Sequence, residues 1–242
     1  MNAILTQNLC KTYGGVHAVN DLNLTVKEGE LFALLGVNGA GKTTTIKMLS
    51  CLTRPTSGDA QILGHSVTND AINVKKRINV SPQETAVAEK LSVRENLELI
   101  ARIYGADRKS AKSKADDMIE KFDMQEIQNS RAKTLSGGWQ RRLSIAMALI
   151  SEPEILFLDE PTLGLDVLAR RELWSVIEKL KGRITIILTT HYLEEAESLS
   201  DRIGIMAKGK LKAEDTAENL KRLADTDSFE EAFITIAGEG VK

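Results

Sequence analysis

The sequence predicts an α/β fold: a mainly parallel sheet with helices on its faces and a helical segment inserted into it. Three observations carry this. Residues 30–35, 155–158 and 184–190 are short apolar or β-branched runs, as strands buried on both faces require. Each is followed by a helical pattern, and such alternation implies parallel strands with crossover helices. Between the first and second runs, residues 84–150 carry helical periodicity and little strand signal.

The elements follow in order. Residues 3–11 and 18–26 read as two short strands around a turn at Gly14-Gly15. The strand at 30–35 stops at Gly36, a helix follows over 42–52, and Pro55 and Gly58 close that unit. Residues 78–81 form another short buried strand, stopped by Pro82. Ser92-Val93-Arg94-Glu95 is a capping box, and Leu97, Ile100, Ala101 and Tyr104 form the apolar stripe of the helix it opens. Gly105 ends that helix, and residues 109–122 repeat the pattern with a charged, solvated face. The strand at 155–158 leads to a helix over 167–180, and the strand at 184–190 to a helix over 192–199. Residues 203–206 and 210–212 form a hairpin turning at Lys208-Gly209. One domain is expected, with its α/β core in 1–83 and 151–215, a helical subdomain in 84–150 and a helical tail in 216–242.

Size and charge narrow the function. A chain of 242 residues suits one large domain, or one domain with a subdomain. Its 32 basic and 34 acidic residues nearly cancel, for a net charge of −2, which argues against a main role in gripping nucleic acid. Aromatics are only 4 %, so base stacking is not a dominant theme. The longest apolar runs fall far short of the ~20 residues of a spanning helix, and the N-terminus carries no leader pattern. Cys10 and Cys51 lack metal-ligand spacing and read as two buried reduced thiols, which suits the cytosol. His17 and His65 read as surface residues.

Gly36-Val37-Asn38-Gly39-Ala40-Gly41-Lys42-Thr43 matches G-x-x-x-x-G-K-[ST], between an apolar strand and a helix. Its glycines let backbone N–H groups turn inward around phosphate oxygens. Lys42 brings a point charge to the β- and γ-phosphates, and the Thr43 hydroxyl can sit on Mg²⁺. Asp159-Glu160 ends the strand at 155–158, at the sheet edge where parallel sheets place ligands. There Asp159 can hold Mg²⁺ and Glu160 can orient and deprotonate the attacking water.

Leu135-Ser136-Gly137-Gly138-Trp139-Gln140-Arg141-Arg142-Leu143 resembles the signature motif of ATP-binding-cassette (ABC) ATPases, usually written LSGGQ. Other elements of that family stand in the same order. Gln83 matches the Q-loop glutamine, Pro161-Thr162-Leu163-Gly164-Leu165-Asp166 the D-loop, and Thr189-Thr190-His191 the switch histidine. The resemblance implies a P-loop NTPase, RecA-like core, with an antiparallel β subdomain besides the helical insert. It implies ATP and Mg²⁺ as cofactors, with Lys42, Glu160 and His191 in catalysis and Thr43, Gln83 and Asp159 at the metal. Nucleotide contacts are implied for Tyr13, Gly36, Asn38, Gly39, Ala40, Gly41, Lys42, Thr43, Thr44, Gln83 and Asp166. Tyr13 reads either as simple strand packing or, by resemblance, as the aromatic stacked on adenine. Ser136, Gly137 and Gly138, a natural anion site at a helix start, are implied to bind the γ-phosphate of a nucleotide on a second cassette. The fifth signature residue departs from the pattern: Trp139 stands where glutamine is usual.

Three stretches, 91–97, 141–146 and 228–233, resemble single-cassette subunits of exporters in the drug, antibiotic and lipid efflux class. That implies an ATPase powering a transporter. Its partners are a second cassette, expected as a homodimer, and a permease on a separate chain, with no nucleic acid. Its place is the cytoplasm, peripheral on the inner face of the membrane. The alternative is a soluble ABC ATPase in DNA repair, translation or cluster assembly, which usually carries paired cassettes, coiled-coil inserts or zinc-binding elements. A non-catalytic regulatory cassette is disfavoured by Lys42, Asp159, Glu160 and His191.

Overall fold

A computed structural model describes residues 1–238; residues 239–242, the end of the expected helical tail, lie outside the described residues. Strands β1 (Asn2–Tyr13) and β2 (Val16–Leu22) form a hairpin about Gly14 and Gly15, both at positive φ. The single strand expected over 18–26 is divided. Asp21 takes a φ of 55°, and the chain re-enters as β3 (Thr25–Lys27) against the other half of β1. Strand β4 (Leu31–Leu35) is buried at every position. Helix α1 (Lys42–Leu49) ends short of residue 52, because Cys51 adopts a φ of 56° and Ser50 Oγ turns back to the Ile46 carbonyl.

The next three elements have no expectation behind them: β5 (Ser57–Ile62), β6 (His65–Ser66) and α2 (Ala71–Arg77). β5 carries Gly and Asp, poor strand formers, and its extended form comes from pairing with β1. Gly58 is needed there: at φ 72°, a Cβ would stand 2.1 Å from the Asn8 carbonyl oxygen. β7 (Ile78–Ser81) follows as read from the sequence.

Helices α3 (Val93–Ile103), α4 (Arg108–Lys121) and α5 (Gly137–Leu149) intervene before the chain returns to the sheet. Both bonds of the capping box close at Ser92 and Glu95. Tyr104 corrects the expected stripe: it is exposed, and its hydroxyl accepts from Asn79 Nδ2 at 3.1 Å. On α4 the buried positions Ala111, Ala115, Met118 and Ile119 keep helical spacing, which turns the charges outward. The remaining elements are β8 (Ile155–Asp159), α6 (Val167–Glu178), β9 (Thr185–Thr190), α7 (Leu193–Leu199), β10 (Arg202–Ala207), β11 (Lys210–Asp215), α8 (Ala217–Leu223) and α9 (Phe229–Gly238). β10 and β11 turn at Lys208 and Gly209, both at positive φ, as a tight hairpin demands.

Two sheets result, and the α/β class read from the sequence holds. The larger has the order β11-β10-β4-β9-β8-β7, parallel except for β11. The smaller is antiparallel, β2-β1-β5-β6 with β3 beside β1. Alternate residues of the central strands enter different cores. Leu156, Leu158, Ile186 and Leu188 pack with the inserted helices, while Ile155, Phe157 and Ile187 pack with α1 and the antiparallel sheet. This two-sided burial is why these strands read as unbroken apolar runs. A third cluster lies under α8 and α9, where Leu220, Phe229 and Ile236 cover Ala33, Leu35, Ile203 and Ile205.

The two thiols are a correction. Cys10 and Cys51 are free but only partly buried, and burial still pushes the Cys51 thiol up from its ordinary pKa. His65 is half-buried rather than on the surface, with Nδ1 2.7 Å from Asp70 Oδ2.

Candidate active site

Register brings the chemistry together. β4 pairs β9 with Leu35 opposite Thr190, and β8 pairs β9 with Asp159 opposite Thr189. The phosphate loop, the acid pair and His191 therefore leave the sheet at one carboxyl edge, where parallel sheets bind ligands. The loop can pass there only with glycine. At Gly36 a Cβ would stand 2.4 Å from the Met206 carbonyl oxygen, and at Gly41, with φ 104°, 2.5 Å from that of Ala18.

Lys42, at the start of α1, is nearly buried, and its Nζ lies 3.1 Å from Glu160 Oε1. It also donates to the carbonyls of Gly36 at 2.7 Å and Val37 at 3.3 Å. Glu160 Oε2 lies 2.7 Å from His191 Nδ1. A carboxylate only accepts, so this contact places the ring proton on Nδ1. Glu160 holds this pose with a φ of 48°, a left-handed conformation that costs a glutamate energy. Its N–H donates to the Thr189 carbonyl and hydroxyl, which fix that turn. Asp159 Oδ1 accepts from Thr43 Oγ1 at 3.1 Å and Thr189 Oγ1 at 2.6 Å.

A cleft of about 740 Å³ opens over these groups. Asn38, Gly39, Ala40, Gly41, Lys42, Thr43, Thr44, Gln83, Glu160 and His191 line it. Gly36 contributes its carbonyl to Lys42 beneath the loop. Tyr13 does not line the cleft; its ring is half-exposed beside it, with Lys11 Nζ 4.9 Å from the centroid. Ser136, Gly137 and Gly138 also lie outside it. Ser136 caps α5, and it and Gly137 are exposed. Asp166 caps α6, its Oδ1 accepting from the N–H groups of Leu168 and Ala169 at 2.9 Å each.

Several contributors were given no role at the site by the sequence. Thr189 buttresses both acids, and Val16, His17, Ala18 and Lys208 line the cleft. Their signal is topological, since the β1–β2 hairpin and the β10–β11 turn reach the loop only through the fold. Arg141 is a third case. Its buried guanidinium donates to the carbonyls of Pro82, at 2.6 Å, and Gln83, tying α5 to the segment that presents Gln83.

The oxygen donors fit a hard cation. Thr43 supplies a hydroxyl, Asp159 a carboxylate and Gln83 an amide, and no cluster of three or more His, Cys, Asp or Glu ligands occurs among the described residues. Sites for Mg²⁺ beside nucleotides are commonly of this kind, with one or two carboxylates and with phosphates and waters completing the shell.

The family model described as ABC transporter matches residues 19–163. The daunorubicin/doxorubicin resistance ATP-binding protein DrrA of Streptomyces peucetius is 40 % identical, over 98 % of this chain and 75 % of its own length. The daunorubicin resistance ATP-binding protein DrrA3 of Streptomyces coeruleorubidus is 43 % identical, over 90 % of this chain and 70 % of its own. Among solved structures, an ATP binding subunit of an ABC transporter superposes with a TM-score of 0.85 at 28 % identity, covering 97 % of this chain and 99 % of that one. A dimeric post-hydrolysis state of the ATP-binding cassette MJ0796, bound to ADP and Pi, superposes with a TM-score of 0.79 at 27 % identity, covering 88 % and 98 %. The chain belongs to the ABC transporter family. It is a cassette that binds and hydrolyses ATP to power transport. No helix among the described residues is long and apolar enough to cross a membrane.

Proposed function

We propose that two copies of this chain close head to tail over two ATP molecules and drive an exporter permease carried on a separate chain. The observation that carries this is the placement of Glu160, held between Lys42 and His191 at the floor of the phosphate-loop cleft. In this reading the loop over 36–44, with Lys42 and Thr43, cradles the phosphates, and Tyr13 stacks beside adenine. Ser136, Gly137 and Gly138 of the partner copy close over the γ-phosphate, with Asp166 at the same interface. Glu160 takes the proton of the attacking water, and His191 holds Glu160 and the γ-phosphate in register. Thr43, Asp159 and Gln83 would hold Mg²⁺, which neutralises phosphate charge. The exporter assignment draws on relatives named for drug resistance, and it puts the protein in the cytoplasm against the inner membrane face. The permease docks where Leu99 and Ile103 of α3 are exposed, close after Gln83.

A general base contributes roughly 10²–10⁴ in rate, or about 3–5 kcal/mol of barrier. Glu160→Gln therefore loses hydrolysis by that factor while binding ATP, and accumulates as a dimer by light scattering. A monomer in saturating ATP would sink the sandwich reading. Co-purification of the full-length chain with a multi-span membrane protein checks the permease.

A further inference from the structure

The carboxyl of Glu195 has no exposed surface and takes no part in the chemistry above. It stands in the first turn of α7, four residues after His191. Trp174 Nε1, on α6, donates to its Oε1 at 3.0 Å. The hydroxyls of Thr190 at the end of β9 and Thr162 in the loop after β8 face it, and Glu160 is close enough to repel its charge. Among the described residues, Glu195 Oε2 and Thr162 Oγ1 close no hydrogen bond. The Thr162 hydroxyl can donate to a carboxylate or accept from a carboxylic acid, so in either form Glu195 and Thr162 are each other's natural partners in this buried space. Burial pushes this carboxyl above its ordinary pKa in spite of the donors around it.

A second contact fixes the same segment. Arg170, one turn before Trp174 on α6, holds its guanidinium 4.6 Å from the Tyr192 ring, and that ring lies 4.2 Å from the His191 ring. α6 thus grips the chain after His191 at both Tyr192 and Glu195, and Glu195 extends the grip to the loop that ends in Asp166.

We propose that Glu195 is a positioning residue for His191: its buried carboxyl ties the start of α7 to Trp174 and to Thr162, and so fixes the ring that contacts Glu160. This rests on the role given to His191 above. The rival role for an acid in a first helical turn is to face the helix dipole, which requires its charge. The neutral isostere separates the two.

ATP turnover of the purified full-length chain is the test. Glu195→Ala should lower kcat between roughly tenfold and a hundredfold, the scale of a displaced catalytic group, with KM for ATP unchanged. Glu195→Gln should restore a rate close to wild type. In a His191→Ala background, Glu195→Ala should cost nothing further, because a residue acting through another has no effect once that one is gone. Should Glu195→Ala fold poorly, Trp174→Phe removes only the indole donor and should also lower kcat at constant KM. A slow Glu195→Gln, or a full additive loss in the double variant, overturns the proposal. So does a wild-type rate in Glu195→Ala or in Trp174→Phe beside a slow His191→Ala. A wild-type rate in His191→Ala itself removes the role of His191, and this inference with it.

Discussion

Lys42 and Glu160 form an ion pair at 3.1 Å, with side chains only 5 % and 8 % exposed. The same ammonium is also satisfied by two loop carbonyls, so it is already aimed into the loop. An incoming phosphate competes with Glu160 for this cation. Lys42→Ala should weaken ATP binding at least about tenfold, or ~1.4 kcal/mol. It also leaves the Glu160 carboxylate buried with the His191 ring as its remaining side-chain contact, which should cost roughly 3 kcal/mol of stability, the low end for a broken buried pair. Nucleotide titration and urea unfolding read the two effects separately. Unchanged ATP affinity would remove the phosphate-loop assignment.

Trp139, the departure from the signature pattern, is turned toward Arg142, whose guanidinium lies 4.6 Å from the ring. Arg142 in turn meets Glu172 on α6 at 2.6 Å, though the Glu172 side chain is 61 % exposed and the pair is correspondingly weakened by solvent. The ring therefore braces, within α5, the guanidinium that reaches across to α6. Trp139→Gln should keep ATP hydrolysis and lose about 1 kcal/mol of stability, the scale of a partly buried cation–π contact. A variant stable as wild type but inactive would show instead that the ring serves the nucleotide.

The central sheet was legible because β4, β8 and β9 bury both faces and so announce themselves as apolar runs. The acid pair and the phosphate loop were legible because they sit next to those runs in sequence. β5, β6 and α2 were not, since Ser57, Gly58 and Asp59 become a strand only by pairing with β1. The same holds for the site's supports. Thr189, Arg141 and Glu195 act across sequence separations of 30, 58 and 21 residues, and no local pattern encodes such partners. Tyr104 misled because it keeps the helical spacing of a core residue yet points to Asn79.

Arg141 is the contact most exposed to test by substitution. Its two donors end on the successive carbonyls of Pro82 and Gln83, and burial lowers the pKa of its guanidinium from the ordinary value. Arg141→Ala removes both charge-assisted bonds and should cost about 2–3 kcal/mol. The segment after Ser81 should then be cut faster by a protease, since its anchor to α5 is gone. Arg141→Lys should recover only part of the loss, because one ammonium cannot span two carbonyls as a planar fork does. Equal cleavage rates in all three proteins would mean that the segment is held by something else.

Glu195 makes a prediction about stability that does not depend on any role in catalysis. Its folded pKa is raised above the ordinary 4.5, chiefly by burial. Trp174, Thr190 and Thr162 oppose that rise, and the charge of Glu160 adds to it. Between the unfolded and folded values, the unfolded chain has lost this proton and the folded chain still holds it. The folded state then binds more protons, so stability is fully present below the unfolded pKa and falls as pH rises through the folded one. The slope within that window reaches about 1.4 kcal/mol per pH unit. Glu195→Gln keeps the shape and removes the titration. Its stability relative to wild type should therefore grow with pH from the carboxylate range upward and level off once the folded carboxyl ionises. Urea midpoints of both proteins at a series of pH values check this, and a difference that stays flat with pH would show that Glu195 is ionised in the folded protein.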